Sequence, residues 1–154
     1  MPASYYPGNL TLANAASFLQ QGQYVAEPVQ TTACAKVEVS RVIGGEPVAF
    51  EVMDSVLSFD AKLWARVVAV FVNGHDWQFK DWPCKKMVEL FLRFRGYYLH
   101  FQDQTALPEV IARWNVKVLT LQRNKRHQDV TVMNEFWADL ESFLRKERFS
   151  VPGL

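Results

Sequence analysis

The run "VVAVFV", residues 67–72, limits the fold of this chain more than any other feature. A strand with one face in water alternates apolar and polar residues, and this one does not alternate. Both of its faces must therefore be covered, as in a parallel sheet flanked by helices. At this length it reads as a strand, since buried helices run longer. The remaining sequence must then supply helices for two faces.

It does so in alternation. "NLTLANAASFLQQ", 9–21, predicts a helix with Leu12, Ala15, Ala16 and Leu19 on one side and Asn9 or Thr11 as its cap. Residues 36–43 and 48–53 predict two strands joined through "GGEP", whose glycines supply the positive φ of a tight hairpin. A short helix capped by Ser58 is expected over 59–66. A helix follows over 84–95, with Met87, Leu90, Phe91 and Phe94 on one stripe and Gly96 ending it. "YYLHF", 97–101, and "VKVLTL", 116–121, predict strands. "LPEVIARW", 107–114, predicts a short helix with proline in its first turn. The final segment, 129–148, places Met133, Phe136, Trp137, Leu140, Phe143 and Leu144 on one face. Its Glu135 and Asp139 come early and its Arg145, Lys146 and Arg148 late, as the helix dipole favours. Strands alternating with helices define an α/β layered fold with right-handed crossovers. Such a sheet normally opens on a strand, whereas this sequence opens on a loop, so the expectation is either a first strand lying outside this sequence or a sheet one strand short.

The 154 residues suit one domain with one sizeable core. Apolar residues at 49% and charged ones at 21% exclude a disordered chain. No apolar stretch is long enough for a membrane span, and the N-terminus lacks a signal-peptide pattern. Cys34 and Cys84 are too few for a zinc framework and are expected to be reduced packing residues. Three scattered histidines make no metal site, so neither metal nor cofactor is expected. His75 beside Asp76 reads as a polar turn after a strand, and His100 as a hydrogen-bonded strand residue.

Charge is unevenly spread. Residues 1–60 carry two basic and six acidic side chains, and residues 61–154 carry fifteen and ten. Residues 113–128 hold Arg113, Lys117, Arg123, Lys125 and Arg126 with no acidic residue, a local field that favours anionic partners. The sequence pI of 7.8 is low for a dedicated nucleic-acid binder.

Two loops then stand out at what should be the carboxyl edge of the sheet, where open α/β folds place their ligands. "NGHDWQFKDWP" follows the buried strand, and "QRNKRHQD" follows the last strand. Trp77, Phe79 and Trp82 either pack beneath their loop or line an aromatic groove, with Gln78 offering amide hydrogen bonds. Arg123, Lys125 and Arg126 either sit in a solvated loop or grip phosphate or carboxylate groups of a peptide. His127, among cations, is expected to stay neutral.

These clusters carry a family resemblance. The strand ending in Trp77-Gln78-Phe79 with Trp82-Pro83 resembles the C-terminal domain of the parafibromin family, which includes a yeast counterpart. So do "WNV" at Trp114–Val116, the triplet Lys125-Arg126-His127, and Phe136-Trp137 with Leu140. The resemblance covers about residues 9–147. It implies a Ras-like (P-loop GTPase-like) three-layer α/β sandwich, a mostly parallel sheet with helices on both faces. It also implies a nuclear, non-catalytic role in the RNA polymerase II-associated factor (PAF) complex. The implied partners are other subunits of that complex and the elongation machinery or chromatin proteins, including phosphorylated tails. Relatives carry a first strand before the equivalent of residue 1, and the present sequence reads as a fragment of a longer subunit. GTPase chemistry itself is not expected. "ASYYPGNLTL", where the phosphate loop should lie, has one glycine and no lysine, and Pro7 removes an amide. No guanine-reading N-K-x-D string occurs. The alternatives are a degenerate domain with weak nucleotide binding, or nucleic-acid contact through the basic loop.

Overall fold

The computed structural model describes residues 10–25, 36–103 and 107–146. The elements in chain order are α1 (Leu12–Leu19), β1 (Lys36–Ile43), β2 (Glu46–Met53), α2 (Ala61–Trp64), β3 (Ala69–Phe71), α3 (Met87–Arg93), β4 (Arg95–Phe101), α4 (Glu109–Arg113), β5 (Val116–Leu121) and α5 (Asp129–Lys146). This is the expected α/β alternation, a mixed architecture with a parallel sheet.

β3, β4 and β5 lie side by side and parallel, with Val70 opposite Gly96 and Leu99 opposite Leu119. β1 and β2 form a separate antiparallel hairpin, turning at Gly44 (φ 61) and Gly45 (φ 86). Those two left-handed residues suit a two-residue primed turn, whose twist matches the strands. One core lies on the face covered by α1 and α5, with Phe18, Tyr97, Phe101, Leu119, Phe136 and Leu140 buried. The other lies on the face covered by α2, α3 and α4, with Val70, Val72, Leu90, Phe91, Phe94 and Ile111 buried. The unbroken apolar run is thus covered on both sides, as its composition requires.

Several boundaries differ from the expectation, each for a physical reason. The hairpin turn is shorter than "GGEP", because Glu46 and Pro47 pair with Ile43 and Val42. Asp60, not Ser58, caps α2, accepting the Leu63 N–H at 2.9 Å. Gly96 does not end α3; it lies inside β4, which begins at Arg95. A Cβ there would stand 2.6 Å from Val116 Cγ1 and 2.8 Å from the Phe91 ring, so glycine is required by close packing. Pro108 precedes α4 as its cap residue instead of lying within its first turn. β3 pairs over Ala69–Phe71 only, half the expected run.

Among the described residues β3 is paired on one side only, which keeps it short. Arg95 N–H bonds to Val68 C=O and Val72 N–H to Tyr97 C=O, so the even residues of β3 face β4. The backbone groups of Ala69 and Phe71 therefore face away from β4. Rings of α5 connect the two sheets. Phe50 of β2 packs on Trp137 at 5.1 Å, Trp137 on Phe136 at 4.9 Å, and Phe136 on Phe71 of β3 at 5.4 Å.

α5 is also tied down by polar contacts. Asp139 accepts Arg95 Nε at 2.7 Å and Nη2 at 3.1 Å, together with the Tyr97 hydroxyl at 2.8 Å. Trp137 Nε1 donates to the Leu19 carbonyl at 2.7 Å, joining α5 to the end of α1. Asn14, buried in α1, accepts the Thr11 N–H and donates to the Val25 carbonyl. Thr11 occupies the N-cap position of α1, as expected, and His100 Nδ1 is buried with no partner. The His100 ring stacks beside Tyr98.

Candidate functional site at the carboxyl edge of the sheet

The loops after β3, β4 and β5 all leave the carboxyl edge of the parallel sheet. The first holds the aromatic cluster, and its members have different fates. Phe79 and Trp82 are buried at 3% and 8% exposure, in edge-to-face contact with each other and with Phe91 and Phe94 respectively. In this packing they form the floor, and an incoming group cannot touch them. Trp77 is 47% exposed, its ring stacked on His75 at 5.6 Å with 14° between planes. Such a platform is open on its outer side.

Gln78 is spent internally. Its amide donates to the Phe71 carbonyl and accepts the Asn73 N–H, both at 3.0 Å. These backbone groups lie on the unpaired side of β3, so the side chain imitates the peptide group of a neighbouring strand. Asn73 in turn accepts the His75 N–H at 3.0 Å. Gly74 (φ 88) then turns the loop against Pro108, where a Cβ would meet the proline ring at 3.6 Å.

The basic loop after β5 is also largely engaged. Arg123 pairs with Asp103 at 2.8 Å and lies 3.9 Å over the Phe101 ring. Arg126 pairs with the buried Asp129 at 2.8 Å, stacks on Tyr24 and donates to the Tyr24 carbonyl. Asp129 Oδ2 also accepts the Tyr24 N–H at 3.0 Å. The Tyr24 ring meets Phe101, the last residue of β4, edge-on at 5.4 Å. Burial pushes the Tyr24 hydroxyl up to about 12 against the opposing pull of Arg126 and Arg123. Segment 20–25 is thereby stitched across the carboxyl ends of β4 and β5. Lys125 and His127 remain exposed on its rim.

The structure therefore gathers Arg123, Lys125, Arg126 and His127 around one loop. Trp77 stands apart from them, with β4 between. Two strand spacings put the two groups about 10 Å apart at sheet level. The sequence had no local signal for Tyr24 or for its bond to Asp129, because Tyr24 meets Arg126 and Asp129 about a hundred positions away. Among the described residues no group of histidine, cysteine or acidic side chains could hold a metal ion, and no helix is long and apolar enough to cross a membrane.

Fold and site together define a Ras-like α/β domain whose carboxyl edge, among the described residues, is closed by side chains. The solved structure described as the conserved domain of yeast Cdc73 matches it with a TM-score of 0.85 and 34% identity, over 93% of each chain. The family model described as RNA pol II accessory factor, Cdc73 family, C-terminal, matches residues 2–143. The chain belongs to the Cdc73 family. Cell division control protein 73 of Saccharomyces cerevisiae is 36% identical over 88% of this chain. The CDC73 homolog of Arabidopsis thaliana is 38% identical over 92% of it. The chain spans 35% and 36% of the length of those two relatives.

Proposed function

We propose that this domain is a non-catalytic peptide-binding module of a nuclear transcription-elongation complex. In this reading it helps to hold a polymerase-associated factor assembly on RNA polymerase II or chromatin proteins through acidic or phosphorylated tails. Family membership supports the transcriptional setting. The observation that carries the binding mode is the division of labour at the carboxyl edge. Phe79, Trp82, Gln78, Arg126 and Asp129 make a rigid frame, and Trp77, Lys125, His127 and the outer side of Arg123 are left facing solvent.

Pairing of Arg123 with Asp103 and of Arg126 with Asp129 lowers the net field of the basic loop. That favours peptides, which add side-chain and backbone contacts, over nucleic acid, whose affinity rests on phosphate neutralisation. It also shapes the experiment. Substituting Arg126 would unfasten segment 20–25, so the informative changes are Arg123→Ala and Lys125→Ala. Fluorescence anisotropy with an acidic heptapeptide, Glu-Asp-Glu-Ser-Glu-Asp-Glu, should show weaker binding to the double variant by about tenfold, and little salt dependence beyond a slope of about 2. Equal affinity for both proteins, or no binding by either, would remove the proposal.

A further inference from the structure

The cavity beside the basic loop carries a more specific inference, which rests on the peptide-binding reading. It measures about 370 Å³ and lies where the end of β5 meets the first turn of α5. Thr120, Gln122, Gln128, Asp129, Thr131 and Val132 line it. All but Val132 present polar groups. Asp129 is 2% exposed, and its Oδ1 has no hydrogen-bond partner, while Oδ2 takes the Tyr24 N–H and Arg126. A buried carboxylate oxygen without a donor is costly unless something supplies one.

Charge narrows the class of donor. Arg126 already compensates Asp129, and Lys125, His127 and Arg123 stand close by in sequence on the same loop. A second buried cation would meet that field unfavourably. A phosphate or carboxylate would meet the negative charge of the Asp129 carboxylate. A neutral hydroxyl or carboxamide suits both constraints, because it donates to Oδ1 and accepts from the Gln and Thr groups opposite.

The strand edge says how such a group would arrive. Gln102 N–H bonds to the Leu121 carbonyl, so the odd residues of β5 face β4. The backbone N–H and C=O of Thr120 therefore point to the edge of β5 that no described strand pairs with, beside the cavity. An extended peptide can pair there and turn a side chain inward.

We propose that the β5–α5 cavity receives an unmodified serine, threonine, asparagine or glutamine side chain of an extended acidic peptide, with Asp129 Oδ1 as its acceptor. The flanking acidic residues, or phosphates on neighbouring positions, face Lys125, His127 and Arg123. The site thus reads a residue that must not itself be phosphorylated inside a negatively charged segment.

Three labelled peptides test this against the wild-type chain: the heptapeptide above, its Ser→Ala form, and its phosphoserine form. The serine peptide should bind about tenfold tighter than the alanine one, as a hydrogen bond to a charged acceptor implies. The phosphoserine peptide should bind more weakly than the serine peptide in spite of its added charge. Asp129→Asn should erase the serine preference. Because Asp129 also holds Tyr24, Thr120→Val with Thr131→Val provides a second variant that alters the cavity without touching that contact, and it too should reduce the preference. Equal affinity for serine and alanine peptides, or tighter binding of the phosphoserine form, overturns the cavity assignment and leaves the peptide-binding reading standing. Failure of all three peptides to bind removes the peptide-binding reading itself.

Discussion

Replacing Asp139 by asparagine should cost this domain about 2 kcal/mol at neutral pH, and the loss should fade in acid. Asp139 takes two hydrogen bonds from Arg95 and one from Tyr97, at 2.7, 3.1 and 2.8 Å, and thereby fastens α5 to β4. The Arg95 and Asp139 side chains are 21% and 23% exposed, so solvent screens them only in part. A fully buried pair loses about 3–5 kcal/mol when one partner goes, and exposed pairs about 0–1, which places this one near 2. Asparagine keeps the shape and an acceptor, so packing is unchanged and the difference reports charge. Burial alone would raise the Asp139 pKa, yet the hydrogen bonds from Arg95 and Tyr97 and the Arg95 charge outweigh it and hold it below its ordinary 3.8. A folded value below the unfolded one means the carboxylate stabilises fully above about pH 4, and this contribution is lost as pH falls through the folded value. Urea titrations of both proteins should therefore differ by about 1 M in midpoint at pH 7, for a slope near 2 kcal/mol per M. The gap should close as the medium is taken progressively below pH 4. Coincident midpoints at pH 7, or a gap that is the same at pH 3 and pH 7, would refute this reasoning.

Other consequences follow from the packing. Gly96→Ala should lower stability by about 1–3 kcal/mol in thermal melts, since its Cβ would meet Val116 and Phe91 at 2.6 and 2.8 Å, whereas Gly45, with nothing within 4 Å, should answer only to its positive φ. Trp82→Ala should cost about 3–5 kcal/mol in chemical denaturation, and Trp77→Ala under about 1, because the first ring is buried and the second is 47% exposed. Hydrogen exchange should find the Ala69 and Phe71 amides faster than those of Val70 and Val72, and Gln78→Ala should speed exchange at Asn73, whose N–H that side chain accepts. Equal protection along residues 69–72 would contradict the unpaired side of β3.

The fold was largely legible because its strongest signals are local. The run at 67–72 demanded two covered faces, the glycine pair at 44–45 demanded a hairpin, and the stripe on α5 demanded a core face. What was not legible depends on distant partners. Gly96 reads as a helix terminator from its neighbours, but Val116 and Phe91 decide its role. Of the candidate binding residues, Trp77 and Lys125 are exposed as a ligand contact requires, while Phe79, Trp82 and Gln78 serve the frame. Sequence spacing cannot separate these roles, since both need aromatic and amide groups in one loop. Arg126 looked like a free cation because its partner Asp129 lies one helical turn on and Tyr24 far earlier. The cavity at β5–α5 left no sequence signal beyond polar residues at the mouth of a helix.

In the proposed reading the carboxyl edge is a frame closed to nucleotide and open to an acidic extended peptide. Amide chemical-shift mapping of the labelled domain tests it most directly. Adding the serine heptapeptide should move resonances at residues 73–77 and 120–131 and few elsewhere, and adding GTP with Mg²⁺ should move none. Shifts on GTP addition, or a peptide footprint centred on α3 or the β1–β2 hairpin, would contradict the account.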